Sequence, residues 1–326
     1  KCELIETLFF IIFLYVVVVM AYPLSMLSIT LITSHQLVLV LHSSADTVTK
    51  MNLFPFMFLL HLITADARYH EAIGVPEASR IKERESAPIT TRIVNGNQAL
   101  LGQHPYFGGL IIILTTGSVS VCGSTLISRT NLITAAHCWY DGSNQAESFQ
   151  VVLGSIALFT GGTRINTRQV LTHESYNATN VQHDIAIITI PQVVLSEYIQ
   201  PITPQNDKIS LKSVAAEVVG FGRTSDDGSI NTQQQLSSTQ VTVIGHELCA
   251  LFYGEFFGFS MICTEGINGS PCSGDSGGPL LYRNEASEAI LIGVVSYGSP
   301  YGCQIGHPAV YTRIADYIDW IHAQNE

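Results

Sequence analysis

The sequence predicts an all-β protein built from antiparallel strands and closed by one helix. Two observations carry that reading. From position 93 onward the apolar runs are short, rich in β-branched residues and separated by Gly, Asn, Ser or Pro, the punctuation of strands and turns. Only Ile314, Tyr317, Ile318 and Ile321 keep the i, i+3, i+4, i+7 spacing of an amphipathic helix. Taken in order, strands are expected at Leu110–Leu114, Val151–Leu153, Ile185–Ile190, Val241–Ile244 and Ile290–Val295, and the helix begins near Ile314. No internal repeat is visible.

The first 92 residues read differently. Residues 7–45 carry no formally charged side chain, and Leu8–Met20 is nearly all apolar, so a membrane-tethering segment is one reading of this region. A second apolar run, Met51–Ile63, precedes Ala65-Asp66-Ala67, the length and small-residue exit of a secretory signal peptide. Residues 51–67 are therefore expected to be the signal and residues 1–50 upstream sequence foreign to the native protein, with a membrane anchor disfavoured. Residues 68–92 are polar with mixed charge and show no apolar period that could build a core. They are expected to form an activation peptide.

From Ile93 to Glu326 there are 8 Lys plus Arg against 18 Asp plus Glu. That acidic balance argues against a nucleic-acid partner or an anionic membrane held by charge. Six of the seven cysteines lie in this part. An even count behind a secretion signal reads as three disulfides, with fifteen pairings open, in an oxidising compartment. No Cys-x-x-Cys pair suggests a zinc site, and no cofactor or metal is expected.

The chemistry concentrates in three segments. Gly274-Asp275-Ser276-Gly277-Gly278-Pro279 places one hydroxyl in a glycine-rich turn, where backbone N–H groups can converge on a developing oxyanion. Upstream stand Leu132-Ile133-Thr134-Ala135-Ala136-His137-Cys138 and His183-Asp184-Ile185-Ala186. A base, an acid and a nucleophile thus follow in the chain order His, Asp, Ser, one of the known orders of the acyl-transfer triad. His183, adjacent to Asp184, is given a bland role at the cleft edge.

With the junction Arg92-Ile93-Val94-Asn95-Gly96, with Gly220-Phe221-Gly222, Ser296-Tyr297-Gly298 and Pro308–Tyr311, the sequence from Ile93 to Glu326 resembles the chymotrypsin-like (trypsin-family) serine endopeptidases. The resemblance implies two six-stranded antiparallel barrels, about 93–205 and 206–326, with the C-terminal helix. It implies catalysis by His137, Asp184 and Ser276, an oxyanion hole from the N–H groups of Gly274 and Ser276, and disulfides Cys122–Cys138, Cys249–Cys263 and Cys272–Cys303. It also implies a zymogen: cleavage after Arg92 frees the Ile93 amine to pair with Asp275, whose burial without a cation is costly.

Pocket positions carried over by resemblance are Ser270 at the floor, Ser296, Tyr297 and Gly298 along the wall and substrate strand, and Ala309. A serine where trypsin-like enzymes hold aspartate leaves a substrate cation unpaired. Large apolar residues before the scissile bond are therefore expected, with small ones as the alternative. Expected partners are protein or peptide substrates, an activating trypsin-like protease and proteinaceous inhibitors. The protein is expected to be a secreted, extracellular monomer, digestive by analogy. A non-catalytic binding protein on the same fold is the competing class, and intact triad residues count against it.

Overall fold

The computed structural model describes residues 38–42, 48–52, 68–85, 97–223, 226, 235–267 and 269–324. The chain divides into two units, 1–64 and 65–326. In the first, strands β1 (Val38–His42) and β2 (Val48–Asn52) form an antiparallel hairpin.

The second unit carries two sheets, as the short β-branched runs predict. The N-terminal sheet is antiparallel and has the order β8-β7-β4-β5-β6-β10-β9. Its strands are β4 (Phe107–Leu114), β5 (Val119–Leu126), β6 (Asn131–Thr134), β7 (Ala146–Leu153), β8 (Thr163–Thr167), β9 (Val170–Thr172) and β10 (Ala186–Thr189). The two edge strands, β8 and β9, are consecutive in the chain and separated by Arg168 and Gln169 alone. The sheet therefore curls toward itself as a half-barrel. Leu110, Ile112, Leu126, Ile133 and Phe149 are fully buried inside it, each worth about 2 kcal/mol of transfer free energy.

The C-terminal sheet closes. Strands β12 (Ala215–Gly220), β13 (Ser237–Ile244), β14 (Met261–Gly266), β17 (Gly306–Arg313), β16 (Ala289–Tyr297) and β15 (Pro279–Arg283) pair in that order, and β15 pairs with β12 to complete a six-stranded barrel. The short β11 (Thr203–Pro204) adds to β16, and β3 (Asn97–Gln98) adds to β13. Val218, Val243, Leu280, Ile292 and Tyr311 fill the interior. Closure removes the unpaired edges an open sheet would expose.

The three disulfides join Cys122 to Cys138, Cys249 to Cys263, and Cys272 to Cys303. The first ties β5 to the His137 turn, and the last ties the loop before Ser276 to the segment before β17.

The terminal helix arrives in two pieces, a 3-10 turn at Ile314–Asp316 and a helix at Ile318–Ala323, burying Ile314, Tyr317 and Ile321 as their spacing predicts. Two further helices were not foreseen. A helix at His246–Tyr253 buries Cys249 but leaves Leu248, Leu251 and Phe252 in solvent, so its apolar residues do not mark its inner face. The second is a correction to the reading of residues 68–92. A π-helical turn, His70–Gly74, runs into helix α1 (Val75–Glu85), and Tyr69, Ala78 and Ile81 are buried against the half-barrel. Gly74 permits the approach: a Cβ there would lie 1.8 Å from Ser120 Oγ on β5. The buried stripe is made of Gly74, Glu77, Ala78 and Ile81, mostly small or charged residues that give no apolar period.

Candidate active site

His137 sits in a 3-10 turn, Ala136–Cys138, directly after β6. Asp184 lies just before β10 and is completely buried. β6 and β10 are neighbours, with Ala186 opposite Thr134, so the strand pairing itself brings the two side chains together. Asp184 Oδ1 accepts the backbone N–H of His137 at 2.9 Å, and its Oδ2 lies 2.8 Å from His137 Nδ1. A third donor, Ser296 Oγ on β16, reaches Oδ2 at 2.6 Å. Burial alone would raise the Asp184 carboxyl, but the His137 charge and the hydrogen bonds from His137 and Ser296 outweigh it and hold its pKa below the usual range. The carboxylate stays ionised and engages His137 through Nδ1, which leaves Nε2 without a partner among the described residues.

Ser276 comes from the other sheet, in the turn before β15. Gly274 has φ +99°, a left-handed conformation that a side chain would strain. In this turn the N–H groups of Asp275, Gly277 and Gly278 are bonded to the carbonyls of Cys272, Val295 and Asp275. Among the described residues, the N–H groups of Gly274 and Ser276 have no acceptor. Two unpaired donors flanking one hydroxyl can receive an oxyanion.

Asp275 is turned inward. Its Oδ1 accepts the Gly222 N–H at 2.7 Å and its Oδ2 the Cys272 N–H at 2.9 Å. Burial pushes its pKa up to about 6 despite these two bonds. Arg92 and Ile93, expected to form the activation junction, lie outside the described residues.

Of the pocket positions, Ser270 is half-buried on the loop between β14 and β15, and its hydroxyl donates to the Pro271 carbonyl at 3.1 Å. Ala309 is buried on β17 opposite Thr264 of β14. Tyr297 ends β16, its hydroxyl donating to the Phe256 carbonyl at 2.9 Å, and Gly298 has open space on the side where a Cβ would project. β14, β17 and β16 are adjacent in the closed barrel, which places Ala309 and Tyr297 on neighbouring strands. His183 turns away, stacking on His173 with ring centroids 5.1 Å apart and its Nδ1 3.0 Å from the Tyr317 hydroxyl.

The trypsin family profile matches residues 93–321. The chain belongs to the trypsin family. The match takes in His137, Asp184 and Ser276 together with all six disulfide cysteines. Among curated relatives, a collagenase of Hypoderma lineatum is 36% identical over 273 residues, 82% of this chain and 96% of the relative. Trypsin beta of Drosophila erecta is 33% identical over 255 residues, 77% of this chain and 95% of the relative. A solved HL collagenase structure superposes with a TM-score of 0.64 at 34% identity, covering 72% of this chain and 98% of that one. This trypsin-family chain is a serine endopeptidase, a hydrolase whose substrates are proteins, on the chymotrypsin fold.

Two features of the site escaped sequence reading. Ser296 was assigned to the substrate strand through its backbone, whereas its side chain also holds Asp184. The segment around Tyr69 and Glu77, polar in sequence and without an apolar period, reaches His137.

Proposed function

We propose that this endopeptidase is made as a secreted zymogen, is switched on by cleavage after Arg92, and cuts peptide bonds that follow large apolar residues. The observation that carries the reading is the Asp184 carboxylate, which is fully buried yet ionised, with His137 Nδ1 at 2.8 Å.

Ser276 Oγ adds to the scissile carbonyl while its proton passes to His137 Nε2, and Asp184 stabilises the resulting imidazolium. The carbonyl oxygen, now anionic, is received by the N–H groups of Gly274 and Ser276. Collapse breaks the C–N bond as His137 returns the proton to the leaving amine, leaving an acyl-Ser276 ester. Water attacks that ester, gives its proton to His137, and the cycle ends with a free carboxylic acid and a regenerated hydroxyl.

Activation follows from Asp275. Its carboxyl is buried with two backbone donors, and burial raises its pKa, with the Glu77 charge adding to the rise and the Arg80 charge opposing it. The Ile93 ammonium, freed after Arg92, is the cation that relieves it. Ser270 in place of a carboxylate favours Phe, Tyr, Leu or Met over Arg or Lys, with small residues as the alternative. Secretion rests on residues 51–67 and on the three disulfides. A digestive role rests on the analogy with trypsins, and the relative named collagenase adds fibrous protein to the substrates worth testing.

The test is trace-trypsin treatment of the purified chain, followed by assays on peptides bearing Phe, Leu, Ala or Arg before the scissile bond, and on collagen. Activity on Phe or Leu that arises only with scission at Arg92 is expected. Activity of the intact chain removes the zymogen, and an Arg preference removes the pocket assignment.

A further inference from the structure

The segment Tyr69–Ile81 does not merely precede the protease; it lies on the catalytic residues. The Tyr69 ring stands edge-on to the His137 imidazole, centroids 4.6 Å apart. Its hydroxyl donates to the Val121 carbonyl at 2.7 Å and is close enough to feel the Ser276 side chain, whose influence opposes the rise that burial gives the Tyr69 pKa. His137 Nε2, the atom that must take the Ser276 proton, is buried without a hydrogen-bond partner among the described residues. The Tyr69 ring thus covers the base, whose Nε2 is left unpartnered among the described residues.

The grip continues along the segment. The His70 N–H donates to Asp141 Oδ2 at 2.8 Å, and its ring Nδ1 lies 2.8 Å from Ser120 Oγ. Glu77 is fully buried and pairs with Arg80 and with Arg223. Arg223 is itself fixed to the nucleophile loop, its N–H donating to the Ser273 carbonyl at 2.9 Å. Glu77 lies against Gly274, since a Cβ on that glycine would meet the Glu77 Cγ at 3.6 Å. One side of the site is therefore contacted at its base and its oxyanion loop by a single helix-turn segment.

We infer that residues 69–81 are a built-in inhibitor that covers His137 and the nucleophile loop, and that they stay bound to the protease after the chain is cut at Arg92. The docking surface is Ser120, Val121, Asp141 and Arg223. It lies on the β5 side of His137. No disulfide joins the segment to the protease, because the three bridges all fall between Cys122 and Cys303; retention is by these contacts alone and is reversible. Onset of activity then has two stages, scission at Arg92 and dissociation of the fragment. The inference rests on the triad and zymogen reading, and the second stage is what it adds.

The experiment uses the full chain, cleaved after Arg92 to completion as checked by mass spectrometry. Specific activity on a Phe or Leu peptide is measured over a thousand-fold dilution series, and the undiluted sample is run on gel filtration. Wild type is expected to co-elute with its 68–92 fragment and to gain specific activity at least ten-fold on dilution. Tyr69→Phe, which keeps the ring and loses the hydroxyl, and Gly74→Val, which clashes with Ser120, are expected to show flat, high specific activity at every concentration. A wild-type fragment that separates at micromolar concentration, with activity independent of dilution, overturns the inference. Silence of all three cleaved forms at every dilution strikes the triad and activation reading instead, and co-elution of wild type but not of Gly74→Val still upholds docking.

Discussion

Ser296 and His137 share one oxygen of Asp184: Ser296 Oγ donates to Oδ2 at 2.6 Å while His137 Nδ1 lies 2.8 Å from the same atom. The serine comes from the closed barrel and the aspartate from the half-barrel, so the carboxylate that orients the base is itself oriented across the two sheets. A second bond across the same boundary runs from Thr312 Oγ1 to the Asp184 carbonyl at 2.7 Å. Hydrogen bonds to charged groups are worth about 1.5–3 kcal/mol. Ser296→Ala is therefore expected to lower kcat roughly ten-fold with KM nearly unchanged, because the backbone of Ser296 is untouched. Steady-state kinetics of the activated variant check it, and an unchanged kcat shows that His137 alone suffices to hold Asp184.

Ser276→Ala removes the nucleophile while the turn is fixed by the Asp275, Gly277 and Gly278 bonds. Hydrolysis is expected to fall to background with thermal stability retained. Asp184→Asn leaves a side chain of the same shape but permits the wrong imidazole tautomer, and kcat is expected to drop about 10⁴-fold, the size seen for that change in the type triad. Circular dichroism beside the kinetics separates either result from unfolding.

Ser270, the proposed pocket floor, is half-buried and spends its hydroxyl on Pro271. Ser270→Asp supplies the carboxylate that a buried substrate guanidinium requires. The ratio of kcat/KM for Arg over Phe peptides is expected to rise at least ten-fold. A ratio that does not move places the specificity pocket elsewhere.

The strands were legible because their core residues are bulky and β-branched, as at Leu110–Leu114 and Ile290–Val295, and the nucleophile turn because Gly274, Gly277 and Gly278 crowd one serine. Helix α1 was not. Its inner face carries Glu77 and Arg80, charges that local pattern assigns to solvent, and what buries them is Arg223, 146 residues from Glu77 in the chain. Nor could spacing reveal that Ser296 bonds Asp184, 112 residues away. Long-range polar pairings of this kind leave no local periodicity.

Asp275 makes the stability of the uncleaved chain depend on pH. Its pKa is raised by burial from an ordinary 3.8 to about 6, so between those values the folded chain binds the extra proton. Its contribution is greatest below pH 3.8 and is lost as pH rises through 6. Asp275→Asn is expected to gain thermal stability relative to wild type at pH 7.5 and to lose that advantage at pH 4.5. Differential scanning calorimetry at the two pH values decides, and a difference independent of pH counts against a carboxyl with a raised pKa.

His70 works in the opposite direction. Burial lowers its pKa from 6.5 to about 4, with Asp141 pulling up and His137 pulling down; the other groups around the ring are Tyr69, 5.4 Å away edge-on, and the Ser120 hydroxyl. The undocked segment takes a proton between pH 6.5 and 4 and the docked one does not, so docking weakens on acidification. Retention of the cleaved fragment is expected to be tighter at pH 7.5 than at pH 5 by a factor on the order of ten. His70→Gln should flatten that profile in gel filtration.

The chain re-enters the described structure at β3, where Asn97 and Gln98 pair with Ser238 and Ser237 of the closed barrel. Ile93 stands four residues before that anchor, so the new terminus made by scission is on a leash of roughly 14 Å at full stretch. The proposed search for Asp275 is confined to a small sphere, and the local concentration of the amine is set by the leash and not by the amount of enzyme in solution. The proposed insertion of the terminus is thus first-order and insensitive to dilution, whereas the proposed release of the 69–81 segment is favoured by it, and the two events can be told apart by concentration alone.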